Sequence, residues 1–253
     1  MRIFLKTEDE IILLRAASQL ATRALIEVGR HVVPRLALSH LRNKVVNAVM
    51  RTVPTESNSG MEALSSDTEF TFFVNGAYIE PSLEGECKLC EGDWLTVNCW
   101  VCLDGYYSFG AHTFIVESSQ DDEPMISTLR DMLRQVVRRA SAGHSIKEMS
   151  RTVYSLHAHD PYVLQKTFGH GVGRNRVENP ILRMNPGVND TVLLKEGMCL
   201  VIALAFKHGR SHFNKPRLMH ESTFHNPFVP FGTTVVVRPG RPEILTSFET
   251  IVK

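Results

Sequence analysis

The stretch Leu89–Val116, LCEGDWLTVNCWVCLDGYYSFGAHTFIV, decides the fold. Residues 93–102 alternate in the manner of an extended strand, whose successive side chains point to opposite faces. Asp104-Gly105 then supplies a dipeptide suited to a tight hairpin turn. A second strand, about 106–117, returns beside the first. Alternation along it places Tyr107, Phe109 and Ala111 on one face and Tyr106, Ser108 and His112 on the other. A tight hairpin pairs its strands antiparallel, so the sheet built on it is mostly antiparallel.

Outward from this hairpin, helix signals come in two similar sets. Thr7-Glu8-Asp9-Glu10 is a capping box, followed by an apolar stripe of Ile11, Leu14, Ala17, Ala21, Leu25 and Val28 that stops at Gly29. A second helix is predicted over about 37–50. Beyond the middle of the chain, Met125, Leu129, Met132, Leu133, Val136 and Val137 line a helix that Gly143 ends. Ser145-Ile146-Lys147-Glu148 caps another that runs to about His157. Strand-like segments follow each pair: 69–79, 93–102 and 106–117, then 162–169, 197–207 and 233–238. The pattern predicts one α+β domain over 1–253, a curved antiparallel sheet with an internal pseudo-twofold backed by two helix pairs. The stretch 208–230, with His208, His212, His220 and His225, reads as an irregular insertion.

Composition bounds the function. The 253 residues, 43% of them hydrophobic, suffice to bury a large core. Lys plus Arg number 28 against 27 Asp plus Glu, with no basic run, so no nucleic-acid partner is indicated. No apolar run approaches a membrane span, and the opening MRIFLKTEDE is too short and acidic for a signal peptide, which predicts a cytoplasmic protein. The cysteines read as reduced thiols. Cys87/Cys90 and Cys99/Cys102 have zinc-knuckle spacing, but the pairs fall at opposite ends of one strand, roughly 25–30 Å apart at about 3.3 Å per residue. Cys99 and Cys102 also point to opposite faces.

With these motifs in place, the chain resembles the methionine aminopeptidase family, of the creatinase or pita-bread fold. LKTEDEIILLRAASQLATRAL is similar to the family's first helix, and the 89–116 hairpin to its metal-binding hairpin. FGHGVGRNRVENP resembles its Gly-His-Gly turn, and LKEGMCLVIAL and TTVVVRPGRPEILT resemble its later strands. The family holds two divalent metals through aspartates, glutamates and one histidine, and these generate a hydroxide nucleophile. Carried over position by position, the aspartate of the VNID element is Asn98 and that of the GDT element is Phe109. The glutamate of the IEP element is Ala203, and that of the EHT element falls on or near Gly232. Only the histidine is kept, as His170. Two further family histidines, which contact the peptide, fall on Glu80 and Val177.

Hard divalent cations need anionic oxygen ligands, so the resemblance predicts no metal and no cofactor here. It implies instead a non-catalytic relative whose old substrate cleft binds a peptide or small molecule. The candidate ligand-binding residues are Asn98, Tyr107, Phe109, His112 and Glu178. The alternative is a metal-independent enzyme acting on a small-molecule C–N bond in the manner of creatinase, with His170 and Glu80 as its catalytic pair, since a histidine titrates near neutrality. Asn98 is the expected hydrogen-bond partner of His170. The sequence does not set the oligomeric state.

Overall fold

The structure is a computed structural model that describes residues 2–52, 64–117, 123–157, 163–164, 166–185, 192–207 and 228–247. Helix α1, Glu8–His31, begins at the expected capping box: the Glu10 N–H donates to Thr7 Oγ1 at 3.3 Å and the Thr7 N–H to Glu10 Oε2 at 3.0 Å. It runs past Gly29 to His31, and α2 spans Leu38–Thr52. The predicted strand 69–79 is two strands, β1 Glu69–Val74 and β2 Ala77–Ile79. Asn75 and Gly76 both adopt positive φ between them and reverse the chain. Strands β3, Trp94–Leu103, and β4, Tyr106–Ile115, form the expected hairpin, with Asp104 and Gly105 at φ 49° and 76°.

The second half repeats this plan. Helix α3, Pro124–Arg138, ends before the turn that contains Gly143, so Gly143 shapes the connection and not the helix end. Helix α4, Ile146–His157, has its expected cap, Glu148 N–H to Ser145 Oγ at 3.2 Å and Ser145 N–H to Glu148 Oε2 at 2.5 Å. The strands are β5 Val163–Leu164, β6 Thr167–Gly171, β7 Glu178–Arg183, β8 Cys199–Lys207, β9 Phe228–Val236 and β10 Glu243–Ile244. β7 was not predicted, because Glu178 and Pro180 break the strand pattern. Residues 228–230, expected in the irregular insertion, belong to β9. His208, His212, His220 and His225 lie outside the described residues.

All the strands join one antiparallel sheet in the order β2-β1-β3-β4-β9-β8-β6-β7, with β10 on β9 and β5 on β8. Its centre is the β4–β9 seam, where Ala111 pairs with Gly232. Each half buries its helix pair on the same side of the sheet. Leu25, Val28, Leu41 and Val45 pack on Val97, Cys99, Val101 and Phe114. Leu129, Leu133, Val136 and Met149 pack on Phe168, Leu200, Ile202 and Phe231. A fully buried side chain of this size stabilises by about 1.5–3 kcal/mol, so the helix-side face carries most of the core. The opposite face is left for the site.

Candidate functional site

Register fixes what that opposite face presents, because side chains paired across strands share a face. Asn98 pairs with Ala111, Trp100 with Phe109, Ala203 with Gly232 and His170 with Val201. Asn98, Trp100, Phe109, His170, Ala203 and Gly232 therefore share the face opposite the helices. Every position at which the resemblance expects a metal ligand is brought to this one surface. Of the side chains at these positions, only His170 is the type the resemblance expects.

Phe109 dominates the centre. A Cβ built on Gly232 would lie 2.6 Å from Phe109 Cε1 and 3.1 Å from the Ala203 Cβ, so the ring occupies the space that a side chain at Gly232 would need, and Ala203 lines the same space. The Phe109 backbone is clamped as well: its N–H donates to Thr234 Oγ1 at 2.9 Å, and its carbonyl accepts from Thr234 Oγ1 and Thr246 Oγ1, each at 2.9 Å. Trp100 packs on Phe109 with ring centroids 4.8 Å apart. It also lies nearly parallel to His170 across the curved sheet, at 6.1 Å and 8°. Rings from the two halves thus meet over the middle of the cleft.

His170 does not take Asn98 as its partner. Its Nδ1 lies 2.8 Å from the Gly171 carbonyl oxygen, which only accepts, so Nδ1 carries the proton and Nε2 keeps its lone pair. Burial pushes the imidazole pKa below its ordinary value, against a smaller upward effect of the Gly171 carbonyl, so the ring is neutral at pH 7. Asn98 is left with a buried Oδ1 that has no hydrogen-bond partner among the described residues. The expected contact fails because the ring satisfies itself on the adjacent carbonyl and Trp100 occupies the space beside it.

The other expected site residues divide. Tyr107 is half-buried at the rim, where its hydroxyl donates to Asp67 Oδ2 at 2.5 Å; that bond, with burial, pushes its pKa up to about 12. His112 is fully buried on the helix side, its ring 4.7 Å from those of both Phe114 and Phe231, so it does not line the cleft. Glu178 is also no cleft ligand: its Oε2 accepts from Lys6 Nζ at 2.5 Å, with both side chains 4% exposed. Glu80 is exposed just ahead of the short helical turn Pro81–Leu83, and its carboxylate makes no hydrogen bond or ion pair among the described residues.

Two residues of the cleft were missed, Trp100 and Arg176. Arg176 crosses from the Gly-His-Gly turn to the first half, where Nη1 donates to Glu69 Oε2 at 2.7 Å and Nη2 donates to the Asp67 carbonyl. Its guanidinium lies 5.6 Å from the Trp100 ring centre and 5.8 Å from that of Tyr107, a cation–π arrangement. The Tyr107 N–H also donates to the Gly173 carbonyl at 2.8 Å, a second bridge between the halves. Strand alternation signalled Trp100, two residues from Asn98 on the same face. No local pattern signalled Arg176.

Residues 12–238 match the sequence profile of metallopeptidase family M24. The chain belongs to that family. Among similar proteins, the methionine aminopeptidase of Helicobacter pylori is 27% identical over 217 residues, covering 83% of this chain and 85% of its own. That of Clostridium perfringens is 26% identical over 180 residues, covering 70% and 71%. The crystal structure of methionine aminopeptidase from Thermotoga maritima superposes with a TM-score of 0.79 at 21% identity, covering 97% of this chain and all of that one. The fold is therefore the expected pita-bread fold.

A metallopeptidase family implies metal, and the residues present do not fit one. At the expected ligand positions stand an amide, a phenyl ring, an alanine and a glycine, with His170 as the one expected ligand kept and no carboxylate among them. Phe109 takes the space that a side chain at Gly232 would need. Among the described residues, no three His, Cys, Asp or Glu side chains lie together as a metal site. Cys99 lies in the helix-side core, and alternation turns Cys102 to the opposite face. No helix among the described residues is long and apolar enough to cross a membrane.

Proposed function

We propose that this M24 protein is a non-catalytic relative of methionine aminopeptidase that uses the old substrate cleft to bind a peptide or small molecule without metal. The observation that carries this reading is the Phe109 ring in the space that a side chain at Gly232 would need. Without anionic oxygens no ion is held to activate water. What remains is a recognition surface: the half-buried Trp100 and Tyr107 rings, the Arg176 guanidinium above them, and His170 Nε2 and Asn98 Oδ1, neither of which has a hydrogen-bond partner among the described residues. Aromatic rings with a few fixed polar atoms suit ligand recognition. A reducing compartment such as the cytoplasm suits the free cysteines.

Trp100 reports on this surface directly, since the only other tryptophan is the buried Trp94. In a Trp94→Phe variant, titration with the tripeptide Met-Ala-Ser is expected to change Trp100 fluorescence saturably, with no free methionine released, with or without added cobalt or manganese. His170→Ala is expected to abolish the fluorescence change while leaving the melting temperature nearly unaltered. Methionine release that depends on added metal, or on His170 without metal, would overturn the reading.

A further inference from the structure

On the helix side of the sheet, remote from the cleft, α1 and α2 enclose a polar groove of about 450 Å³. Arg23, Glu27 and His31 recur every four residues on one face of α1. Lys44, Asn47 and Arg51 form the facing ridge of α2. Three basic side chains, Arg23, Lys44 and Arg51, face a single carboxylate. That carboxylate is already shared: Glu27 Oε1 accepts from Arg23 at 3.0 Å and from Arg30 at 2.8 Å, and Glu27 Oε2 lies 3.5 Å from His31 Nδ1. Among the described residues Lys44 and Arg51 have no ion-pair partner, and the buried Nε of Arg23 has no hydrogen-bond partner. In a chain whose formal net charge is +1, this is a local concentration of unneutralised cations.

We propose that this groove is a binding site for the phosphoryl group of a small phosphate ester. Guanidinium forks match the oxygens of a tetrahedral phosphoryl dianion, and a lysine adds a point charge. A monocarboxylate would leave most of the cationic excess uncompensated. The volume lies within the range of small-molecule sites and exceeds what free phosphate fills, which favours an ester. The α1–α2 placement separates this site from His170, so it stands independently of the cleft.

The test uses the full chain in calorimetric titrations at fixed ionic strength, with sodium phosphate, glycerol 3-phosphate and sodium acetate as probes against a chloride background. Saturable binding of both phosphoryl probes is expected, tighter for glycerol 3-phosphate, with none for acetate. Lys44→Gln and Arg51→Gln change exposed side chains, and each is expected to weaken glycerol 3-phosphate binding about three- to tenfold at an unchanged melting temperature. His170→Ala is expected to leave it unchanged. Equal affinity in the Lys44→Gln/Arg51→Gln double variant, or heat matched by acetate, would overturn the site. Tighter binding of inorganic phosphate than of the ester would overturn the ligand class. So would binding of an acidic peptide such as tetraglutamate where neither phosphoryl probe binds.

Discussion

Replacing Lys6 with methionine is expected to destabilise the protein by about 3–5 kcal/mol, the usual cost of leaving one partner of a buried ion pair unpaired. Lys6 Nζ lies 2.5 Å from Glu178 Oε2, and neither side chain has more than 4% of its surface in water. The other carboxylate oxygen, Oε1, accepts from the Asn175 N–H at 3.2 Å, so the pair ties the N-terminal segment to the turn after His170. A Cβ at Gly173 would fall 2.2 Å from Lys6 Cε, so the lysine stem passes directly over that turn. For a chain of this length the loss corresponds to a fall in melting temperature of roughly 6–20 °C. In Lys6→Met/Glu178→Leu most of it should return, because apolar pairs often replace buried ion pairs without loss. Chemical denaturation of the wild type and these variants measures both. A single-variant cost below about 1 kcal/mol would show that the pair is solvated and structurally idle.

The second large effect belongs to the centre of the cleft. Phe109→Ala removes a ring packed on Trp100 and beside Gly232, and is expected to cost about 3–5 kcal/mol. Gly232→Ala adds a methyl group 2.6 Å from Phe109 Cε1 and is expected to cost about 1–3 kcal/mol through overpacking. The two changes act on one volume. Combined, they should destabilise by less than the sum of the singles, with a coupling of about 1–2 kcal/mol. A double-mutant cycle by urea denaturation reads this directly, and additivity would mean that ring and glycine do not meet.

The same residues explain what the sequence disclosed. The helices at Glu8 and Ile146 were legible because Thr7/Glu10 and Ser145/Glu148 satisfy end groups through neighbours in sequence. The 94–115 hairpin was legible because its turn and alternation are local too. Family spacing assigned Asn98, Phe109, Ala203, Gly232 and His170 to the ligand positions, and the strand register puts these five on one face. What failed depends on the third dimension. His112 looked available until Phe114 and Phe231 closed over it. Glu178 looked like a cleft residue until Lys6 reached it from the other end of the chain. Two misses were local: Pro180 hid β7, and the Asn75-Gly76 turn that divides the expected strand 69–79 into β1 and β2 was overlooked. Arg176 crosses from one half to the other, and periodicity within either half says nothing about such a contact.

The central claim is that the aromatic filling at Phe109 has taken the place of metal. Anomalous scattering from crystals grown with manganese in excess, recorded at the manganese absorption edge, tests it most directly. The account predicts no anomalous peak within coordination distance of His170, Asn98 or the Phe109–Gly232 contact. Two peaks bridged beside His170, with Phe109 rotated out of the cleft, would contradict it.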